Sequence, residues 1–303
     1  MTPMQEFIDY QAECQTLYNA YTSCGATCSL GQYCVSHGCN MSVCNTCLTQ
    51  IQWAVHPLFT YSCQKITYHY VLRFLNRFAS EIAYAMWNYK FGNIQKYNVV
   101  SLGCGPGSEI YGLIKALRKR NPNIVLDYQG YDTNKIWKDV QSISKSKLSN
   151  TGHHIVFHDK DMFTDFIDFH DKKVDLLVLN YILSDAQKFN DKSHIDSFLA
   201  DLAWFIISND VRNILFNDNN YYGTDGGYDS GVQLMLRLIE KLKSWGVSLT
   251  DQYRRFPFDP KRGNQRWLAY NSWKLAFPLL PNNKLDKNVR NCWSKQILIH
   301  LNK

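Results

Sequence analysis

The first 64 residues of this 303-residue chain contain neither lysine nor arginine, and the first basic side chain is Lys65. Glu6, Asp9 and Glu13 give this segment a formal charge of −3, and since the whole chain carries +7, the remainder carries +10. A segment without cations cannot neutralise phosphates, which excludes a nucleic-acid-binding finger of the usual kind. We therefore expect an N-terminal scaffold or protein-contact surface. The basic remainder favours a polyanionic partner, although a solvated basic surface explains the same charge.

The sequence also lacks an apolar run of the roughly 20 residues that a membrane span requires. Residues 1–10 lack the basic-then-apolar pattern of a secretory signal peptide. We expect a cytoplasmic protein without membrane contact. The length suits one large domain, or a catalytic domain with a small addition.

Cysteine is scarce after Lys65 but crowded before it, where eight of the ten cysteines lie. In a reducing compartment such crowding favours a metal over disulfides, and Cys44-x-x-Cys47 has the spacing of two thiolates on one tetrahedral ion. We predict a zinc module over residues 1–64. Its candidate ligands are Cys24, Cys28, Cys34, Cys39, Cys44 and Cys47. An iron–sulfur cluster that also uses Cys63 is the alternative, followed by disulfides or unliganded thiols.

The rest of the chain is organised around Asn98–Glu109, which reads N-V-V-S-L-G-C-G-P-G-S-E. A short apolar run ends at Gly103, Gly105 and Gly107, and a helical pattern follows. This pattern predicts a strand, a tight glycine turn and a helix whose free N–H groups face a ligand. The dinucleotide fingerprint G-x-G-x-x-G is a poorer match, because it would require glycine or alanine at Ser108.

Polar side chains follow the next predicted strands. Asp132 occupies the place where a nucleotide-binding α/β unit holds the ribose hydroxyls. The later strand ends carry Asp159, Asp161 and Met162, then Asn180 and Tyr181, then Asn217 and Asp218. Strands alternate with helical stretches, which predicts a parallel sheet with helices on both faces. The carboxyl ends of such strands form the ligand edge of an open α/β sheet.

The glycine-rich stretch resembles motif I of the class I S-adenosylmethionine-dependent methyltransferases, a hydrophobic strand that ends in G-x-G-x-G. The resemblance implies a Rossmann-like α/β sheet with helices on both faces over residues 65–303, and S-adenosylmethionine as cofactor. It implies that the three glycines approach the methionine part of the cofactor. The other implied cofactor contacts are Asp132 at the ribose, Asp161 and Met162 at the adenine, and Asn180. A Rossmann-like domain for another nucleotide is the alternative.

Acceptor chemistry is predicted at the ends of the fourth and fifth strands, where Asn180, Tyr181 and Asp218 are the candidate catalytic residues. Methyltransferases that act on nucleic-acid amines often carry N-P-P-Y or D-P-P-Y at the fourth strand, whereas this chain reads N-Y-I-L. The missing prolines leave the acceptor atom open. Tyr181 is equally suited to form a wall of the pocket.

Two further segments bear on the substrate. Asn217–Gly231 is polar and glycine-rich, which suggests a substrate lid or an ordinary surface loop. Residues 253–267 interleave basic and aromatic side chains, a combination that suits single-stranded nucleic acid, although aromatic residues are also common in the last strands of a large core. We therefore expect RNA or another nucleic acid as substrate, with protein or a small molecule as alternatives. A non-catalytic scaffold that binds RNA or a protein partner is a further alternative.

Overall fold

The computed structural model describes residues 4–21, 40–53, 61–161, 173–185, 192–218, 231–255, 275–277, 292 and 294–302. Within these ranges the helices are α1 (Gln5–Ala20), α2 (Met41–Trp53), α3 (Gln64–Ala85), α4 (Ser108–Arg120), α5 (Lys138–Leu148), α6 (Lys192–Ser208) and α7 (Gly231–Ser244). The strands are β1 (Lys96–Leu102), β2 (Val125–Asp132), β3 (His154–Asp159), β4 (Leu176–Asn180), β5 (Asn213–Asp218), β6 (Ser248–Arg255) and β7 (Lys295–Asn302). None of the described helices combines the length and apolar character needed to cross a bilayer.

The strands form one sheet in the order β3-β2-β1-β4-β5-β7-β6. Strands β1 to β5 run parallel, in the order of a doubly wound Rossmann sheet. Strand β7 lies antiparallel between β5 and β6. This arrangement confirms the predicted Rossmann-like α/β sheet. The strand order reverses between β1 and β4, and such a switch point is where open α/β sheets bind their ligands.

Helices cover both faces of the sheet because its central strands are apolar on both sides. In β1, Val99 belongs to one hydrophobic core and Val100 to the other, and in β4 Leu176 and Leu177 alternate in the same way. Helices α1 to α5 contribute to the first core, and α6 and α7 to the second.

The N-terminal helices pack onto the same domain. On α1, Phe7 and Tyr10 are buried, and their rings lie 5.3 and 5.5 Å from that of Tyr111 on α4. Burying a large apolar side chain contributes on the order of 2–3 kcal/mol. Hydrophobic packing therefore secures α1. The domain boundary expected after residue 64 stays a prediction.

Candidate functional site

The turn between β1 and α4 is built from glycines with a left-handed backbone. The φ angle is +60° at Gly103, +50° at Gly105 and +73° at Gly107, a region that other residues rarely adopt. A Cβ added at Gly103 would lie 2.2 Å from Cδ1 of Ile182. The turn thus presents bare backbone at the ligand edge of the sheet, where α4 begins at Ser108.

Asp132, the last residue of β2, is hydrogen-bonded to this turn from the neighbouring strand. Its Oδ2 accepts a 2.8 Å hydrogen bond from the Gly105 N–H, and its Oδ1 accepts one of 2.9 Å from the Asn134 N–H. Burial raises the pKa of the carboxyl to about 6, although the two N–H donors oppose the shift. Each carboxylate oxygen can accept a second hydrogen bond, so Asp132 keeps capacity for a ligand hydroxyl.

A cavity of about 400 Å³ opens beside this turn. The predicted site residues that line it are Gly103, Gly105, Asp132, Asp161, Asn180 and Tyr181. Gly107 lies outside the lining and forms the N-cap of α4, and Met162 lies outside the described residues. The cavity lining therefore includes predicted residues at or just after the ends of β1 to β4, but not Asp218 at the end of β5, and the roles of these residues stay predictions.

The described lining of the cavity is acidic. Its charged side chains are Glu109, Asp132, Asp161, Asp185 and Lys160. Four acidic groups against one ammonium create a negative potential, which attracts a cation and repels phosphate. The cavity is therefore suited to a ligand with positive charge.

Glu109 is a site residue to which the sequence pattern assigned no role. It lies fully buried in the first turn of α4, and its Oε1 accepts hydrogen bonds of 2.5 Å from Oγ of Ser101 and from the Tyr128 hydroxyl. Burial raises the pKa of this carboxyl, while both hydroxyl donors oppose the shift. The available signal was its place just after the glycine turn, where the helix dipole stabilises a carboxylate.

Ser108 precedes Glu109 and also lines the cavity. Its Oγ is buried and has no hydrogen-bond partner within the part of the chain that the structure describes. Leaving a buried hydroxyl unsatisfied costs about 1–3 kcal/mol. A polar ligand group in the cavity would remove this penalty.

Aromatic rings form another wall of the cavity. The rings of Tyr61, Tyr70 and Trp137 pack together with centroid distances between 4.9 and 5.6 Å. Phe78 and Tyr181 stack at 4.2 Å, and all five rings belong to the cavity lining. From helical periodicity alone, the aromatic residues of α3 are expected to lie in the core. Periodicity identifies the buried face of a helix, but it does not distinguish a ring in the core from one that borders a cavity.

Tyr181 combines an unusual backbone with a paired side chain. Its φ angle is +57°, which is rare for a bulky residue. Its hydroxyl donates a 3.0 Å hydrogen bond to Oε2 of Glu81, and the Arg77 guanidinium lies 5.5 Å from its ring centroid. Burial and the nearby Glu81 raise the pKa of Tyr181 well above its usual 10. The phenol therefore stays protonated at neutral pH and cannot act as a base.

Asn180 is held in place by a buried hydrogen-bond network. Nδ2 of Asn217 donates to Oδ1 of Asn180 at 2.7 Å and to Oε2 of Glu81 at 3.2 Å. Gln296 on β7 donates to Oδ1 of Asn217 at 2.8 Å. The network thus connects α3, β5 and β7 to the edge of the cavity.

Asp218 is buried and does not belong to the cavity lining. It accepts hydrogen bonds from the N–H of Ser184 at 3.0 Å and from its Oγ at 2.6 Å. A Cβ added at Gly231 would lie 2.6 Å from Oδ2 of Asp218. These contacts tie the turn after β4 to the start of α7. The catalytic role of Asp218 stays a prediction, and the structure does not bring this residue together with the cavity.

The described residues do not support the predicted metal module. Cys44 and Cys47 are buried in the first hydrophobic core, on helix α2. Positions three apart on a helix share one face, so this spacing also fits a buried apolar stripe. Among the described residues no group of three or more cysteine, histidine or acidic side chains could hold a metal ion. The other predicted ligands, Cys24, Cys28, Cys34 and Cys39, lie outside the described residues.

The two predicted substrate segments are described only in part. Of Asn217–Gly231, the structure describes Asn217, Asp218 and Gly231, and of residues 253–267 it describes the backbone of 253–255, at the end of β6. The predicted lid and the basic aromatic segment otherwise lie outside the described residues.

No family model and no curated protein sequence matches this chain. Matching solved structures include magnesium protoporphyrin IX methyltransferase from Synechocystis PCC 6803 with bound S-adenosylmethionine, at 11% identity and a TM-score of 0.42, covering 86% of this chain and 94% of that one. The small RNA methyltransferase HEN1 matches at 12% identity and a TM-score of 0.44, covering 73% of this chain and 25% of that one. A TehB-like methyltransferase from Corynebacterium glutamicum matches at 14% identity and a TM-score of 0.37, covering 75% and 88%.

Each of these three matching structures is a methyltransferase, the class of enzyme that the glycine motif resembles. The TM-scores are below 0.5, and such likenesses assign neither a substrate nor an activity to this chain.

Proposed function

We propose that this chain is an S-adenosylmethionine-dependent methyltransferase. The observation that carries the proposal is the acidic cavity beside the left-handed glycine turn. S-adenosylmethionine has two positively charged groups, a sulfonium and an ammonium, and one negatively charged carboxylate, so its net charge is positive. A dinucleotide contains an anionic pyrophosphate, which the carboxylates of the lining would repel. The charge of the cavity therefore favours S-adenosylmethionine over the alternative nucleotide.

The residues at the cavity fit this cofactor. Asp132 has acceptor capacity for the ribose hydroxyls, and the bare backbone of Gly103 and Gly105 allows the methionine part to approach closely. The unsatisfied Ser108 hydroxyl at the N-terminus of α4 suits the carboxylate. Glu109 supplies negative charge for the cationic groups. The proposed adenine contacts are Asp161 and Met162.

When bound, the cofactor would supply a methyl group to the acceptor atom, which would form a bond to the methyl carbon as the carbon–sulfur bond breaks and S-adenosylhomocysteine leaves. The side chains of the protein position the acceptor and remove its proton where needed. We assign positioning to Asn180 and Tyr181, because both line the cavity and both are fixed by the buried network. Asp185 lines the cavity near the same strand end and is the proposed proton acceptor.

Methyl transfer is tested by incubating the purified protein with methyl-labelled S-adenosylmethionine and fractionated cell extract. We expect label in one fraction with the wild type and none with Asp132→Ala. The matched control is Asp127→Ala, because Asp127 lies on the same strand but pairs with Lys96. Label transfer that survives Asp132→Ala would contradict the proposal.

We further propose RNA or another nucleic acid as the acceptor. The charge of +10 on residues 65–303 supports a polyanionic substrate. Treating the active extract fractions with ribonuclease, deoxyribonuclease or protease before the assay identifies the acceptor. We expect nuclease treatment to abolish labelling, and loss of label with protease alone would assign a protein acceptor instead. Cofactor binding without label in any fraction would favour the scaffold alternative.

A further inference from the structure

A second concavity of about 220 Å³ adjoins the 400 Å³ cavity described above, which we call the cofactor cavity. The second concavity differs from the cofactor cavity because its lining includes three lysines. Asp132 and Asn134 line both, so the two concavities lie side by side. The second concavity extends along α5, and its described lining includes Lys135, Lys138 and Lys145. It is termed the lysine groove below.

The lysines of the groove are exposed and form a row. Lys138 and Lys145 are seven residues apart on α5, which places them on one helix face about 10 Å apart. The side chains of Lys135 and Lys138 are 72% and 60% exposed, and both ammonium groups lie 3.4 Å from Oδ2 of Asp159. Two cations that share one carboxylate retain net positive charge.

A flat aromatic pair lies where the groove meets the cavity. The rings of Tyr131 and His158 stack with a centroid distance of 4.5 Å and an interplanar angle of 15°. Tyr131 lines the cofactor cavity and His158 lines the lysine groove. Such pairs provide platforms on which bases of single-stranded nucleic acids stack.

We propose that the lysine groove binds the phosphate backbone of a single-stranded nucleic acid whose acceptor base enters the cofactor cavity; this proposal rests on the proposed methyltransferase function. The carboxylates repel phosphate from the cavity, whereas exposed ammonium groups attract it in the adjoining groove. Exposed lysines suit backbone contacts, which position a strand without reading its sequence. A base is uncharged, so it enters the acidic cavity without this repulsion.

The test is fluorescence anisotropy with a short single-stranded RNA of mixed sequence, over a series of KCl concentrations. The triple variant Lys135→Ala, Lys138→Ala, Lys145→Ala should bind about tenfold more weakly. The slope of log affinity against log salt should fall by about 2, since each phosphate contact of a single strand contributes about 0.7. The matched control is Lys241→Ala with Lys243→Ala in the last turn of α7, which should bind as the wild type does.

Asp159→Asn should change RNA affinity in the opposite direction to the triple variant. It removes the carboxylate that Lys135 and Lys138 share, so it should tighten RNA binding, which a misfolded variant would not do. In the methylation assay the triple variant should raise KM for RNA and leave kcat nearly unchanged, because backbone contacts are equal in ground and transition states.

Calorimetric titration with S-adenosylmethionine separates the two proposals, since the groove lysines should not alter cofactor affinity. If the wild type does not bind the cofactor, the proposed function fails. If it binds the cofactor and the triple variant keeps wild-type RNA affinity and salt slope, the groove proposal is overturned and the proposed function stands. Tighter binding of a poly-glutamate peptide than of RNA would also overturn the groove proposal.

Discussion

The phenol of Tyr181 donates a 3.0 Å hydrogen bond to Glu81, and this bond holds a residue whose φ angle is +57°. Glu81 also accepts a hydrogen bond from Asn217, which in turn donates to Asn180. One buried carboxylate on α3 therefore fixes both residues at the end of β4. Backbone strain of about 1–3 kcal/mol persists only where surrounding contacts hold it, and it is concentrated at functional sites.

Glu81→Gln should destabilise the protein. The substitution preserves volume but removes the charge beside buried Arg77, whose Nε lies 3.9 Å from Oε1 of Glu81, and it replaces an acceptor with a donor. We expect the free energy of unfolding to fall by about 3 kcal/mol, as when a buried ion pair is broken. Urea denaturation measures the change. Glu240→Gln on the exposed side of α7 is the control and should leave the free energy of unfolding almost unchanged. If both variants lose the same free energy of unfolding, Glu81 does not stabilise the site as described.

Gly103→Ala should impair both stability and cofactor binding. The left-handed backbone costs a non-glycine residue about 1–2 kcal/mol, and the added Cβ would also meet Ile182. Gly152 is the matched control, because its φ angle is +74° but no atom lies within 4 Å of an added Cβ. Gly152→Ala should lose about 1 kcal/mol in urea denaturation and bind S-adenosylmethionine normally. If the two variants have the same stability and the same affinity for S-adenosylmethionine, the cofactor does not approach Gly103 closely.

Cofactor affinity should depend on the protonation of Asp132. Because the pKa of this carboxyl is about 6 in the folded protein, it is mainly charged at neutral pH and mainly protonated near pH 5. A cation prefers the charged form, so affinity should fall as pH falls through about 6, by up to about tenfold per unit. Calorimetry across this range measures the effect. Asp132→Asn should bind weakly and with little pH dependence, and a wild-type affinity that is constant from about pH 5 to 8 would contradict the assignment.

Ser108→Ala should lower the affinity for the cofactor without lowering the stability of the protein. Its hydroxyl is buried without a described partner, so its removal should leave the free energy of unfolding unchanged or raise it by about 1 kcal/mol. If this hydroxyl contacts the cofactor, affinity should fall about three- to tenfold. Ser144 is also buried, but its Oγ lies 3.0 Å from the Tyr111 hydroxyl. Ser144→Ala should therefore lose stability and keep cofactor affinity; the same pattern in Ser108→Ala would refute the contact.

The sheet and the position of its ligand edge were predictable from sequence because both depend on local patterns. The glycine turn requires a left-handed backbone at Gly103, Gly105 and Gly107, and the buried strands read as apolar runs. Asp132 and Asn180 were predictable for the same reason, since a polar residue at the end of such a strand faces the edge.

The rest of the site depends on contacts between residues distant in sequence. Tyr61 and Trp137 pack at 4.9 Å although 76 positions separate them, and no local pattern encodes that contact. Asp218 ends its strand as predicted, but hydrogen bonds from Ser184 hold its carboxylate outside the cavity lining. The spacing of Cys44 and Cys47 was ambiguous for a related reason, since a helix places such residues on one face whether or not they bind metal.

Isothermal titration of the purified protein with S-adenosylmethionine, and in parallel with NAD⁺, measures directly which of the two cofactors the cavity binds. We expect one binding site for S-adenosylmethionine, with an affinity that Asp132→Ala lowers at least about tenfold and Asp127→Ala leaves unchanged, and no comparable binding of NAD⁺. If NAD⁺ binds as tightly as S-adenosylmethionine, or if Asp132→Ala leaves the affinity for S-adenosylmethionine unchanged, the proposed function is wrong.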